Sequence, residues 1–409
     1  MKVGIDKIRI YGGSAKIDVI DIFHGRSLNI ERFPNLMLKQ KALGFPFEDA
    51  VTNGVNAAVD LLDSLSSDER SSVKTLITAS ESAVDFGKSL STFMFEFLDL
   101  PSDCRLFEVK QACYSLTAAL QMAVDHLCCY PDEKVLIVGT DIARSSADAA
   151  YGEPSQGCGA AAVLLSRDPE LISFDIGAYG NHSVSEFDSY RPNADEEMGD
   201  ADLSLMTYLD CMVKSYQNYK DKISDQITNR DFSYFIFHTP FGGLVKGAHR
   251  RLVTSEQRLK KSEIDADFTE RVLPSLHFNQ QIGNLYCSAV YVALFGLLSE
   301  IKEFSGERRI GIYSYGSGSC SEFFSGVINS RSVKAAQKVA LQSELDRRYP
   351  VSFGEYVRLI EENRKTIFGL KDFNNSYDDY LEIYRSVNTG KKRLYISEIT
   401  QYKRKYKWI

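Results

Sequence analysis

Cys113 stands in the run Lys110-Gln111-Ala112-Cys113-Tyr114-Ser115-Leu116-Thr117-Ala118-Ala119-Leu120, directly after the short apolar stretch Leu106-Phe107-Glu108-Val109. This pattern predicts a buried strand that delivers a thiol to the first turn of a helix. Leu116, Leu120, Val124 and Leu127 keep the three-to-four-residue spacing of one buried helical face. A helix N-terminus offers unpaired N–H groups and partial positive charge, which favour thiolate over thiol. The thiolate is the nucleophile, so acyl chemistry is expected to begin at Cys113.

Four other motifs stand at the ends of predicted elements. Ser80-Glu81-Ser82-Ala83-Val84-Asp85 closes the strand-like run Thr75-Leu76-Ile77-Thr78-Ala79. A carboxylate placed there is partly buried, which raises its pKa and strengthens it as a base. Ser80 and Asp85 would equally suit the start of a helix. Phe237-His238-Thr239-Pro240-Phe241-Gly242-Gly243 carries a histidine out of a strand into a Pro/Gly turn, where it can point into a cleft. A lone histidine is more often structural, but His24, His126, His182, His249 and His277 lack a comparable setting. Asn284, in Ile282-Gly283-Asn284-Leu285-Tyr286, opens a helical stretch and serves either as a cap or as a donor to a substrate carbonyl. Tyr315-Gly316-Ser317-Gly318-Ser319 lets backbone N–H groups approach a ligand closely. It is not a phosphate loop, because no Lys-Ser/Thr pair follows it.

The elements that must position these groups alternate short apolar runs with longer helical patterns. Residues 75–79, 135–139 and 161–165 predict strands buried on both faces, with helices over 53–65 and 112–127 between them. A second set follows at 235–237, 288–298 (helical) and 310–314. Both sets mix strands with helices, which argues for α/β layering, although no strong internal repeat marks a duplication. Residues 181–202 are polar and acidic, with Asp195-Glu196-Glu197 among them, and read first as a surface loop. A loop over the mouth of the site is the alternative. Beyond residue 330 the chain is charged yet keeps Tyr349, Phe353, Tyr356, Tyr377, Tyr380 and Tyr384, a composition for packed helices. The basic end Tyr402-Lys403-Arg404-Lys405-Tyr406-Lys407-Trp408 reads as a solvated face, or as a contact for a phosphate or an acidic carrier protein.

The 409 residues, 44% of them hydrophobic, suffice for one large core or two fused ones. A net charge of −7 argues against a general nucleic-acid-binding role. Met1-Lys2-Val3-Gly4-Ile5-Asp6 lacks the apolar core of a signal peptide, and no apolar run reaches the ~20 residues of a spanning helix. A cytoplasmic protein without membrane contact is expected. Eight scattered cysteines form no C-x-x-C pair and no zinc-site spacing with histidine. With no metal motif and no dinucleotide loop, no bound cofactor is expected.

Cysteine, histidine and asparagine in that order, closed by a glycine-rich turn, describe an enzyme that makes carbon–carbon bonds on thioesters. The chain resembles the 3-hydroxy-3-methylglutaryl-CoA synthase family of the thiolase superfamily. The matching stretches are Glu81-Ser82-Ala83-Val84-Asp85-Phe86-Gly87-Lys88-Ser89, Ala112-Cys113-Tyr114, Thr117-Ala118-Ala119 and Gly152-Glu153-Pro154-Ser155-Gln156-Gly157, then His238-Thr239-Pro240-Phe241, Gly283-Asn284-Leu285-Tyr286 and Tyr315-Gly316-Ser317-Gly318-Ser319. The resemblance implies a thiolase-like α/β fold of two similar halves in a five-layer αβαβα arrangement, with the active site between them. Residues 1–170 would carry Glu81 and Cys113, and residues 171–409 would carry His238, Asn284 and the Gly-Ser-Gly turn. It also implies a homodimer. By resemblance Cys113 holds the acetyl group, Glu81 is the general base and His238 serves the second substrate. Asn284 and Ser317 match positions that contact the acyl groups, and Gly316 and Ser155 lie in matching stretches as further substrate-binding candidates.

Two departures bear on the substrate. Family members that use CoA usually carry a lysine five residues after the histidine, where this chain has Gly243. The run from His238 through Lys246 to Arg250 resembles instead the members of bacterial polyketide pathways, which install β-branches on chains tethered to acyl carrier proteins. Lys246 is left to meet the single phosphate of a pantetheine arm. Ser145 replaces a common tyrosine after Ala143-Arg144, which bears on the shape of the acyl pocket. The resemblance therefore implies donor and acceptor acyl carrier proteins as partners, with their phosphopantetheine arms as substrate carriers. A CoA-dependent synthase of the mevalonate route is one alternative. A non-catalytic acyl or carrier-protein binding homologue is another, and it would need none of Cys113, Glu81 and His238.

Overall fold

The structure, a computed structural model, describes residues 2–142, 152–193, 196–365 and 369–409. A mixed sheet of nine strands runs through the molecule. The first part of the chain supplies β1 (Val3–Tyr11), β2 (Val73–Ala79), β3 (Arg105–Val109), β4 (Lys134–Ile142) and β5 (Cys158–Arg167). The second supplies β6 (Ile172–Ser183), β7 (Tyr234–Phe237), β8 (Glu307–Gly316) and β9 (Cys320–Asn329).

Across the sheet the order is β7-β8-β9-β6-β1-β5-β4-β2-β3. Outward from the β6–β1 junction, each side meets its first strand, then its last, then the one before the last. β5 and β9 run against both neighbours, whereas β4, β2 and β3 are mutually parallel and β7 is parallel to β8. This repeated path is a duplication that no sequence repeat revealed, because strand order is a property of the backbone and survives divergence of side chains.

Strand residues alternate between two environments with the period of a pleated sheet. Leu76, Leu136, Val138, Ala162 and Leu164 pack on one side against α1 (Ala50–Leu62) and α2 (Leu90–Leu98). Ile77, Ile137, Val163 and Leu165 face the other way, toward α3 (Ser115–Cys129) and α6 (Ala289–Glu300). The second half repeats the division. Ile236, Ile312 and Phe324 join the core around α3 and α6, while Phe235, Phe237, Tyr313 and Phe323 meet α4 (Ala201–Ile223) and α5 (Gly242–Glu256). The two halves of the sheet thus sandwich α3 and α6, and the layers read helix, sheet, helix, sheet, helix. The all-apolar stretch of α6 is buried on every side, as a central layer requires.

The predicted elements fall where strands and helices occur, with shifts at their ends. α1 starts at Ala50 rather than Asn53 because Asp49 caps it, accepting a hydrogen bond from Thr52 N at 2.9 Å. The aromatic residues beyond 330 do pack, with Tyr356 and Tyr384 fully buried in a core of their own. The basic end is a strand of a hairpin, β10 (Leu394–Thr400) with β11 (Lys403–Trp408). Lys403, Lys405 and Lys407 are exposed, whereas Arg404 and Tyr406 turn inward and reach Asp49 at 3.1 and 2.9 Å. No helix among the described residues is long and apolar enough to cross a membrane.

Candidate active site

Glu81, Cys113, His238 and Ser317 each stand just past the C-terminal end of a strand: β2, β3, β7 and β8 respectively. Open α/β sheets bind ligands at those ends. Together with Asn284 and Ser155 they line one cavity of about 800 Å³.

Cys113 sits on a strained turn. Ala112 has φ +44°, and Tyr114 N bonds back to Gln111 O at 3.0 Å before α3 begins at Ser115. Cys113 therefore precedes the helix instead of occupying its first turn. The turn is clamped from two sides. Tyr114 Oη donates to Glu322 at 2.6 Å, and the backbone of Gly316 lies so close that a Cβ there would stand 2.6 Å from Gln111 O and Tyr114 N. Gly316 thus packs beneath the Cys113 turn and is not itself part of the cavity lining.

The thiolate expectation is corrected by the surroundings. Burial pushes the Cys113 thiol well up, and Glu81 and Asp141 push it further, so the thiol is its resting form. Burial, with two nearby carboxylates, outweighs the end of one helix. His238 is the opposite case: burial lowers it to about 3, and its Nδ1 is buried without a partner among the described residues. It is a neutral imidazole.

The residues after β2 form a loop, not a helix, until α2 opens at Leu90. Asp141, fully buried at the end of β4, organises that loop. Its Oδ1 accepts from Glu81 N at 2.9 Å, Ser82 Oγ at 3.0 Å and Ser80 Oγ at 3.1 Å. Cys287 Sγ donates to its Oδ2 at 3.4 Å. The Glu81 side chain then meets Arg191, whose Nη2 lies 3.2 Å from Glu81 Oε1 and 3.1 Å from Glu197 Oε2. Burial raises Glu81 to about 7; Arg191 works against that rise, and Asp141 and Glu197 add to it. The value suits a general base near neutral pH.

Arg191 and Glu197 belong to the polar run read first as a surface loop, and both line the cavity. Here the alternative holds: part of that run covers the site, on a short hairpin of Ser189–Tyr190 with Met198–Gly199. Asp195 lies outside the described residues. Asp188, from the same run, accepts from Gly318 N at 2.9 Å and Tyr315 Oη at 2.6 Å, so it holds the glycine-rich turn. Asp141 obeys the same strand-end rule that picked out Glu81, and that was the available signal for it. Nothing local marked Arg191.

Asn284 and Ser155 are braced together, with Asn284 N donating to Ser155 O at 2.7 Å and Gly157 N to Asn284 O at 3.0 Å. Asn284 Oδ1 caps Tyr286 N at 2.8 Å, and α6 begins only at Ala289 after a further turn. The amide nitrogen of Asn284 has no partner among the described residues. Lys246 is not brought to the cavity: it is half exposed and pairs with Asp265 at 2.7 Å. Gly243 packs on the short helix Phe33–Leu36, where a Cβ would stand 2.2 Å from Asn35 O. Ser145 lies outside the described residues.

A model of the hydroxymethylglutaryl-coenzyme A synthase C-terminal domain matches residues 172–269 and 262–408. The polyketide biosynthesis 3-hydroxy-3-methylglutaryl-ACP synthase PksG of Bacillus subtilis (strain 168) is 41% identical over 420 positions, covering 100% of both chains. The chain belongs to the hydroxymethylglutaryl-CoA synthase family. Within that family, the hydroxymethylglutaryl-CoA synthase of Enterococcus faecalis is 28% identical over 97% of this chain and 100% of its own. The crystal structure of the curacin biosynthetic pathway HMG synthase in complex with acetyl donor-ACP superposes with a TM-score of 0.96 at 41% identity, covering 100% of both chains. MvaS in complex with 3-hydroxy-3-methylglutaryl coenzyme A gives 0.85 at 26% identity, over 99% of each chain. The five layers described above are the thiolase-like fold of this family, and the enzyme is a carbon–carbon bond-forming transferase.

Proposed function

We propose that the enzyme condenses an acetyl group with the β-carbonyl of a β-ketoacyl chain, both delivered on acyl carrier proteins, and so installs a β-branch in polyketide biosynthesis. The observation that carries the carrier-protein reading is Gly243. The CoA-dependent pattern has a lysine there, and the backbone of Asn35 leaves no room for its Cβ. The full-length similarity to PksG and to the curacin synthase, the latter seen with its donor ACP, supports the same choice.

Acetyl passes from the donor's pantetheine sulfur to Cys113, and the thiol proton leaves with the pantetheine thiol. Backbone N–H groups at Cys113 and near Ser317 receive the thioester oxygen. Glu81 takes a proton from the acetyl methyl group, and the enolate carbon bonds to the β-carbon of the acceptor. His238 and Asn284 orient the acceptor carbonyl and meet the oxygen charge that develops on it, and that oxygen takes a proton from solvent to become the 3-hydroxyl. Water then cleaves the Cys113 thioester, leaving a 3-hydroxy-3-carboxymethyl acyl chain on the acceptor. Gly316 sets the nucleophile's turn, and Ser155 holds Asn284 from behind. The pantetheine arm is the group that carries substrate, and no cofactor enters these steps.

The division at residue 170 is supported by β6, which begins at Ile172 and opens the second half of the sheet. A homodimer is supported by β3, an edge strand near which the loop after β2 exposes Phe86 by 95%. The CoA-dependent alternative shares every catalytic group and differs at Gly243.

The test is intact-protein mass spectrometry after incubation with acetyl-CoA or an acetyl-loaded carrier protein, with Cys113→Ala as control. An acetyl adduct from the carrier and little from CoA is expected. Efficient loading from CoA would move the enzyme to the mevalonate-type reading, and no adduct from either donor would leave only a binding protein.

A further inference from the structure

The last step creates an anion where there was none. Water adds to the thioester carbon, the C–S bond to Cys113 breaks, one water proton returns to sulfur and the other passes to solvent. The former acetyl carbonyl leaves as a carboxylate from Cys113, on whose thiol the charges of Glu81 and Asp141 both act. A product anion formed among carboxylates needs a cation.

Arg191 is the least exposed cation among the described residues that line the cavity; Arg32 and Lys110, also in the lining, are exposed. Only its Nη2 is engaged, by Glu81 at 3.2 Å and Glu197 at 3.1 Å. Its Nε and Nη1 bond to no described residue, although the side chain is 15% exposed. Those two donors lie on opposite edges of the guanidinium, so each stands open to bind a carboxylate oxygen singly. The plane of the fork is set by the Tyr286 ring, which it overlies at 5.0 Å, and Glu197 is tied in turn to Gln156 Nε2 at 3.1 Å. The guanidinium is thus held at the catalytic base with donors to spare.

Resting on the condensation proposed above, we infer that Arg191 is the binding site for the carboxylate end of the product, which it takes through its open donors. Glu81 holds a proton readily, since burial and the facing Asp141 and Glu197 raise it, and that makes room for a second anion at Arg191. In the resting enzyme the same arginine holds the Glu81 carboxylate. One cation serves the base before the reaction and the product after it.

Calorimetry tests this with 3-hydroxy-3-methylglutaryl-pantetheine and its carboxyl methyl ester, on the wild type, Arg191→Gln and Arg191→Lys. The wild type should bind the acid roughly 10–100-fold more tightly than the ester. Arg191→Gln should bring the two within about threefold, and Arg191→Lys should keep part of the preference. An Arg191→Gln variant that retains the wild-type preference, or a wild type with none, overturns the assignment. If Arg191→Gln binds neither form, Arg191→Lys decides: acid preference retained supports the site, and its loss overturns it. Acetylation of Cys113 is measured on the same wild-type sample. Normal acetylation without acid preference removes only the role of Arg191, whereas failure to acetylate removes the condensation itself.

Discussion

Asp141 Oδ1 accepts the backbone N–H of Glu81 at 2.9 Å, so a buried carboxylate at the end of one strand holds the proposed base at the end of its neighbour. The contact has two effects with opposite signs for chemistry. It fixes the Glu81 loop, and its charge raises both Glu81 and Cys113. Asp141→Asn keeps the shape and removes the charge. The pH curve for iodoacetamide alkylation of Cys113 should then move to lower pH. Condensation should slow by roughly 10–100-fold as the loop loosens.

Replacing the base separates the two halves of the reaction. Glu81→Gln should still form acetyl-Cys113, detected by mass, while condensation with a β-ketoacyl carrier falls by roughly 10²–10⁴. A variant that condenses at the wild-type rate would sink the assignment.

The pH profile follows from the raised Glu81. Its basic form prevails above about 7, so the condensation rate from preformed acetyl-enzyme should rise with pH through about 7 and fall away below it. Arg191 pulls Glu81 down, so Arg191→Gln should move that limb to higher pH. Single-turnover rates at fixed ionic strength measure both. A limb that stays in place in the variant would show that Glu81 is not the group being titrated.

Gly316→Ala tests the clamp beneath the nucleophile. Its Cβ would meet Gln111 O and Tyr114 N at 2.6 Å, so either β8 or the Cys113 turn must shift. The expected cost is about 1–3 kcal/mol in urea unfolding, with slower acetylation of Cys113.

Gly243→Lys tests the substrate argument. A Cβ at 2.2 Å from Asn35 O collides with backbone rather than with a flexible side chain. The variant should lose stability by about 1–3 kcal/mol and gain no loading from acetyl-CoA. Efficient CoA loading would show that the lysine alone sets the carrier.

Residue type and local spacing brought out Cys113 and His238, because a reactive group just past an apolar strand is a local pattern, whereas they left Glu81 open between a base and a helix start, and the family resemblance gave it the role of base. The period-2 and period-3.6 repeats likewise placed the central strands and helices. Charge was not legible in the same way. The local pattern makes Cys113 a thiolate at a helix start, but its pKa is set first by burial and then by Glu81 and Asp141, which lie 32 and 28 residues away in sequence and converge only when β2, β3 and β4 pair. Lys246 was read as a phosphate ligand, and the packing turned it to Asp265 instead. Arg191 sits in a polar run with no periodicity, and its place beside Glu81 appears only once that run folds back over strands from the other half of the chain. Periodicity reports which face of an element is buried. Which elements meet, and therefore which charges face each other across a cavity, is set by the strand order of the assembled sheet.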